Sequence, residues 1–305
     1  MERQPSSPGS SPVELGDCLE ELLQFTLQSH IDGTLEHDLG LHTDFCSHLL
    51  NHNLPPPNLD RTGACEILLF TLDVSNSLSD VSRLYKDLVS SLRKSVSKPS
   101  CGSLDDLEDK EECNELIAQG GAELVNVLKT VNFELHVHEP FFTQLRDGLK
   151  RVEGRCAAGD YNRIQPGALI LFNKCLLFEV QDVRQYPSFS AMLKAESLDK
   201  VLPGIKTLAD GIQIYRKFYS EEKEVSNGVL GIHVKKSVAQ PYVVLSRIIS
   251  VSFLASLLFL TYVFVAKAKV TAQKTGTVLF KGLGNANGLR FLFDFFVSCS
   301  QLFKP

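Results

Sequence analysis

Apolar and polar positions alternate along this chain with two different periods, and the period changes near residue 131. Upstream, Leu15, Leu19, Leu22 and Leu23 recur at helical spacing. Leu78, Val81, Leu84, Tyr85, Leu88 and Leu92 do the same, as do Cys113, Leu116, Ile117, Leu124, Val127 and Leu128. A stripe at i, i+3, i+4 and i+7 marks a helix with one buried face. Asn53–Pro57, with its three prolines, and Lys98–Ser103 interrupt the pattern. From Val131 the period shortens. Phe133, Leu135 and Val137 alternate with polar residues, as the two faces of a half-buried strand require. A short helix is expected over Glu139–Gly148, with Pro140 in the first turn, where its missing N–H has no partner to lose. Gly167–Phe172 and Leu176–Val180 are apolar runs of strand length, joined by Asn173-Lys174, a pair suited to a tight turn. Helical spacing returns over Phe189–Glu196 and Ile205–Tyr219, and Gly228–Val234 reads as a closing strand.

Short strands with helices between them, all within about 100 residues, predict an α+β fold built on a small mixed β-barrel. The expected organisation is a Ser/Pro/Gly-rich disordered tail over residues 1–12, a helical region over 13–130, the barrel over 131–234 and a tail over 235–305. Charge follows the same divisions. The overall net charge of −5 conceals 9 basic against 22 acidic residues over 1–131, 13 against 13 over 132–234, and 9 against 1 over 235–305. The acidic run Asp105–Glu115 suits a helix start, where carboxylates complement the helix dipole; docking of a protein partner is its other reading. Balanced charge in the middle segment argues against tight duplex binding and leaves room for a pocket that holds one or two nucleotides.

Residues 248–265 carry no charge over 18 positions, which meets the usual minimum for a membrane helix. One continuous helix over Tyr242–Ala266 is therefore expected, projecting from the barrel toward a membrane. The same Phe/Leu/Val/Ser composition is also what translated intronic sequence gives. The eight cysteines include no Cys-x-x-Cys pair, and the amino terminus has no apolar stretch of signal-peptide type, so a reducing cytosolic or nuclear compartment is expected. His136 and His138 share one face of the first strand without an evident third ligand, so neither a metal site nor a cofactor is expected.

The most specific text is Gly148-Leu149-Lys150-Arg151-Val152-Glu153-Gly154-Arg155, preceded by Glu139-Pro140-Phe141-Phe142. It resembles the Gly-x-Lys-x-x-Glu-x-Arg signature of the ASCH family. Ile164–Ile170, Asp182–Phe189 and Val201–Gly204 are similar to further segments of that family, in the same order. The resemblance covers about residues 131–234. It implies a PUA-like barrel and a cleft, between barrel and helices, large enough for a nucleotide base. A strict strand would point Lys150 and Glu153 to opposite faces, so convergence in that cleft requires a bend or bulge near Gly154.

The chemistry of the set suits a nucleotide. Lys150 and Arg155 can bind phosphate, Glu153 can accept from an exocyclic amine, and Tyr186 or Tyr215 can stack on a base. RNA or a nucleotide is thus the expected ligand, in RNA processing or transcriptional coactivation. A bacterial branch of the family hydrolyses acetylcytidine with a Lys-x-x-Thr pair and a more distal Glu. Here Lys150 matches the lysine, but Glu153 stands where the threonine nucleophile would be, and Glu196 is the loose counterpart of the distal Glu. Catalysis, with Lys150, Glu153 and Glu196 as its residues, would then need Glu153 to act on water as a general base. A third reading keeps the barrel as a scaffold for protein interactions.

Overall fold

The structure, a computed structural model, describes residues 13–50, residues 85–93 apart from 87 and 91, and residues 108–252. Helices α1 (Leu15–Ile31), α2 (Thr43–Leu50) and α3 (Glu108–Lys129) come first. Then follow β1 (Phe133–Leu135), α4 (Phe141–Arg146) and β2 (Val152–Cys156), a 3₁₀ turn at Gly159–Arg163, β3 (Leu169–Phe172) and β4 (Leu176–Tyr186). Four short helices, α5 (Phe189–Glu196), α6 (Leu198–Val201), α7 (Leu208–Arg216) and α8 (Glu221–Asn227), lead into β5 (Val229–Lys236). Residues 241–252 form a last described helix, α9.

The five strands make one sheet in the order β1-β3-β4-β5-β2, with β1 parallel to β3 and the other neighbours antiparallel. β4 spans the middle and carries a bulge between Val180 and Asp182. A bulge bends a strand and increases its twist, and the sheet curls into a half-barrel. The β3–β4 hairpin turns at Asn173 and Lys174, both at positive φ (47° and 60°), as a two-residue turn matched to strand twist requires. The Asn173 side chain also accepts from Val137 N (2.7 Å) and donates to Val137 O (2.9 Å). This pair extends the hold on the chain beyond β1 and fixes which of residues 135–138 point inward.

Alternation along the strands gives the sheet two apolar faces. Leu230, Ile232 and Val234 of β5 join Leu135, Phe172 and Phe178 in a core that also takes Leu19, Leu22 and Leu23 of α1 and Leu124 and Leu128 of α3. Val152, Cys156 and Val229 face the opposite way, onto Phe189, Met192, Leu193, Leu202 and Tyr215. The described helices before residue 131 thus share a core with the sheet. Of the long helical run expected there, Tyr85, Leu88 and Leu92 are helical, whereas Leu78, Val81 and Leu84 lie outside the described residues.

Two expectations change in extent. The strand expected at Leu176–Val180 continues to Tyr186, because past the bulge it pairs with β5 through polar, largely exposed positions that carry no apolar signal. The helix expected over Ile205–Tyr219 is confined to α7, whose start is set by Thr207, its hydroxyl accepting from Asp210 N (3.1 Å).

The membrane expectation is corrected. Among the described residues no helix is long and apolar enough to cross a membrane. α9, the start of the segment in question, is built into the first core: Tyr242, Val244, Leu245, Ile248 and Ile249 are buried there, and Tyr242 meets Phe25 edge-on at 5.1 Å. Arg247, on the outer side, donates to Glu123 of α3 (2.7 Å). Just before the helix, the Gln240 side chain accepts from Leu177 N (3.0 Å) and donates to Leu177 O (2.7 Å), in the manner of a neighbouring strand. The described apolar residues of this segment, Tyr242 to Ile249, are claimed by α1, α3 and the sheet. Residues 253–266 of the expected span lie outside the described residues.

Candidate functional site

The chain leaves α4 through Gly148, whose φ of +74° suits a residue without Cβ. Leu149 and Lys150 both donate their N–H to Gln144 O (2.9 and 3.0 Å), and extended pairing with β5 begins only at Val152. Lys150 therefore sits in the bend before the strand rather than on it. Its side chain returns to Glu153, three residues on, with Nζ 3.1 Å from Oε2. The β2–β5 register runs without a shift from Val152 to Cys156, so the bulge expected near Gly154 is absent; the bend at Lys150 does its work. Gly154 has a different task. A Cβ there would run into the Tyr215 hydroxyl and lie 2.6 Å from the Met192 methyl, so the bare backbone lets α5 and α7 press against the strand.

Glu153 and Arg155 share the strand face opposite Val152 and Cys156. Arg155 donates from Nε to Glu153 Oε1 (2.8 Å) and from Nη2 to the His136 carbonyl, and it also hydrogen-bonds Tyr219. Lys150 donates to the carbonyls of Val152 (2.9 Å) and Val201 as well as to Glu153. The three residues are only 2%, 6% and 5% exposed, in the order Lys150, Glu153, Arg155. This is an interior cluster of two cations about one carboxylate. A surface ion pair would be worth little; here each charge has left water and depends on the others.

Electrostatics follow from that enclosure. Burial lowers the affinity of Lys150 for its proton, and the Glu153 carboxylate offsets this only in part. Burial alone would raise the Glu153 carboxyl; the adjacent Lys150 and Arg155 charges and hydrogen bonds outweigh it and hold the group below the usual carboxylate range. Arg155 loses stabilisation by burial and regains more from Glu153, so its proton is held more tightly than usual. An ammonium has three protons, and those of Lys150 go to Val152, Val201 and Glu153. Lys150 thus positions Glu153 and has no donor to spare for a phosphate. Arg155, with five donors, keeps further N–H groups.

Of the remaining sequence candidates, Tyr215 comes beside the cluster, its hydroxyl against Gly154 and within electrostatic reach of Glu153 and Arg155, whereas Tyr186 and Glu196 lie elsewhere. Tyr215 is buried, its ring stacked on Phe189 at 4.0 Å between centroids and 11° between planes, so that face is closed to a base. Tyr186 donates its hydroxyl to Glu196 and sits over Gly231 rather than beside Arg155. Glu196 is held by Tyr186, by His233 (2.9 Å) and by Arg184 (3.3 Å), a second cluster on the α5 side of the sheet.

Aromatic rings do stand near Arg155, and composition did not single them out. His136 and His138 point outward at the end of β1, with ring centroids 5.0 Å apart and edge to face, and His138 stacks on Phe218 at 5.1 Å and 19°. The strict alternation after Phe133 does put both histidines on one face, the signal that was legible. No group of three metal-ligating side chains occurs among the described residues.

The profile of the ASCH domain family matches residues 135–238. Among solved structures, the hypothetical protein PH0355 is 35% identical over 34% of this chain and 97% of its own length, with a TM-score of 0.34. Protein PF0455 from Pyrococcus furiosus, determined by NMR, is 38% identical over 35% of this chain and 97% of its own, with a TM-score of 0.32. No curated protein matches the chain. Through residues 135–238, which hold the Lys150–Glu153–Arg155 cluster and the whole of the sheet but the start of β1, the chain belongs to the ASCH family.

Proposed function

We propose that this domain is an RNA- or nucleotide-binding module in which Arg155 meets the ligand and Glu153, steadied by Lys150, sets its angle. The observation that carries this reading is the interior cluster itself. Two cations and one carboxylate removed from water are a poor way to stabilise a fold, since apolar side chains of like volume do as well or better. What such a cluster does provide is a guanidinium locked in one orientation, with charge in excess of its carboxylate. Preorganised guanidinium groups suit phosphate and base edges. A role in RNA processing or transcriptional coactivation, in cytosol or nucleus, accords with this ligand class.

Hydrolysis gains less support. A general base works best with a pKa near the operating pH, whereas Glu153 is held below the ordinary carboxylate range by Lys150 and Arg155. Glu196, needed as the distal carboxylate, is engaged by Tyr186, His233 and Arg184 instead.

The test is an equilibrium titration of the full chain with a labelled single-stranded oligoribonucleotide. Arg155→Lys keeps the charge and loses the fork, so binding should weaken by about 1–3 kcal/mol, the scale of a lost charge-assisted hydrogen bond. Wild-type affinity in that variant, with the fold intact, removes Arg155 from the ligand. Absence of any wild-type binding at millimolar RNA removes the function.

A further inference from the structure

Three exposed rings stand on the two segments that Arg155 bonds: His136, His138 and Phe218. Both histidines are exposed, and Phe218 is 39% exposed although its sequence neighbours Tyr215 and Tyr219 are buried. Phe218 follows the end of α7 at Arg216, so helical spacing no longer binds it to the buried face. A large ring left in water is ordinary when it stands singly. This one stacks on an imidazole that in turn meets a second imidazole.

The two segments that carry these rings are held by one side chain. Arg155 donates to the His136 carbonyl on the β1 side and hydrogen-bonds Tyr219, the residue after Phe218, on the α7 side. Asn173 clamps Val137 from both its N–H and its C=O, so His136 and His138 stay on the outer face while Leu135 and Val137 stay within. The rings are therefore placed by the same guanidinium that the binding reading assigns to the ligand. Lys217, the sequence neighbour of Phe218, is exposed at the C-cap of α7.

We propose that the His136–His138–Phe218 surface is a stacking platform for an unpaired base of single-stranded RNA. This rests on the RNA-binding reading and gives that site its aromatic element, in place of Tyr186 and Tyr215. Unpaired bases splayed onto aromatic or imidazole rings beside a guanidinium are the usual mode of single-strand recognition. The platform consists of flat rings, tied from behind by the Arg155 guanidinium and with no aliphatic side chain among the three, which favours a base over an apolar peptide. Balanced charge across residues 132–234 likewise fits a one- or two-nucleotide contact better than a duplex.

The experiment titrates the full chain with a short labelled oligoribonucleotide and with the same strand made abasic at its central positions. His138→Ala and Phe218→Ala are compared with wild type, and melting by circular dichroism reports on the fold. Each exposed-ring variant should weaken binding of the intact strand roughly 5- to 100-fold, the scale of a lost base–aromatic stack. On the abasic strand the same variants should bind as wild type does. If both variants hold the intact strand as tightly as wild type, while Arg155→Lys weakens it, the platform is rejected and the binding module stands. An equal loss on intact and abasic strands also rejects it, since the rings would then touch backbone and not base. If wild type binds neither strand at millimolar concentration, the module falls and the platform falls with it.

Discussion

Glu153 and Glu196 are almost equally hidden from water, at 6% and 3% exposed, and both are held charged in the folded chain by different means. Glu153 sits between Lys150 and Arg155, which are themselves interior. Glu196 lies over β4 and β5 on the α5 side of the sheet, where its cationic neighbour Arg184 is about half exposed and His233 is partly so. One carboxylate belongs to a network whose three members are all nearly enclosed. The other is a buried acceptor served from the surface. The enclosed cluster fixes geometry, whereas the partly exposed one ties α5 to β4 and β5 and can exchange its partners for solvent.

Removing one charge from each cluster separates the two. Glu153→Gln leaves Lys150 and Arg155 as interior cations without a counter-charge, and should cost about 3–5 kcal/mol in urea unfolding. Glu196→Gln strands no interior cation and should cost about 1–2 kcal/mol, the loss of charge-assisted hydrogen bonds alone. Equal costs would mean that the two networks do not differ in kind. The aromatic residues give a parallel pair. Tyr215→Ala opens a void beside Phe189 and Gly154 and should cost about 3–5 kcal/mol.

Acid sharpens the same contrast. For both glutamates burial works to raise the carboxyl, and neighbours reverse it: Lys150 and Arg155 for Glu153, the hydrogen bonds from Tyr186 and His233 and then the charge of Arg184 for Glu196. With folded values below the unfolded one of about 4.3, the unfolded chain takes up protons first. The stability that these groups contribute is fully present above that pH and is lost as pH falls through their folded values. A urea midpoint followed downward from pH 6 should drop in that window, and Glu196→Gln should remove part of the slope. A slope unchanged by the variant would deny Glu196 its share. The smallest expected effect is that of Phe218→Ala, within about 0.5 kcal/mol of wild type by thermal melting, as for other exposed positions.

What could be read in the sequence was whatever repeats or whatever has few alternatives. Alternation after Phe133, the apolar runs on either side of Asn173-Lys174 and the helix Phe189–Glu196 all appear where their periods put them. The ASCH signature named Lys150, Glu153 and Arg155, and the three do meet. How they meet was not legible, because period-two reasoning assumed that the strand began before Lys150, whereas pairing begins at Val152. α8, with sequence EEKEVSN, has no apolar stripe; its start rests on Ser220, whose hydroxyl accepts from Lys223 N (3.3 Å). Tyr215 as a base-stacking residue failed on tertiary packing, which no local pattern reports: Phe189 lies on its ring, and Gly154 admits its hydroxyl. The apolar run after Pro241 misled for the complementary reason. Hydrophobicity states that a segment will leave water, and for its described part, residues 241–252, α1, α3 and the sheet supply the destination as well as lipid would.

If a guanidinium locked in the interior cluster meets the ligand, NMR of the Arg155 Nε–Hε group will register it. That proton is bonded to Glu153 Oε1 at 2.8 Å, so it should exchange slowly and be visible in the free protein. On titration with a short single-stranded oligoribonucleotide the resonance should shift in a saturable manner, together with the ring signals of His138 and Phe218, while those of Tyr186 and His233 stay in place. Saturable binding that moves other resonances and leaves Arg155 untouched, or no response up to millimolar RNA, would contradict it.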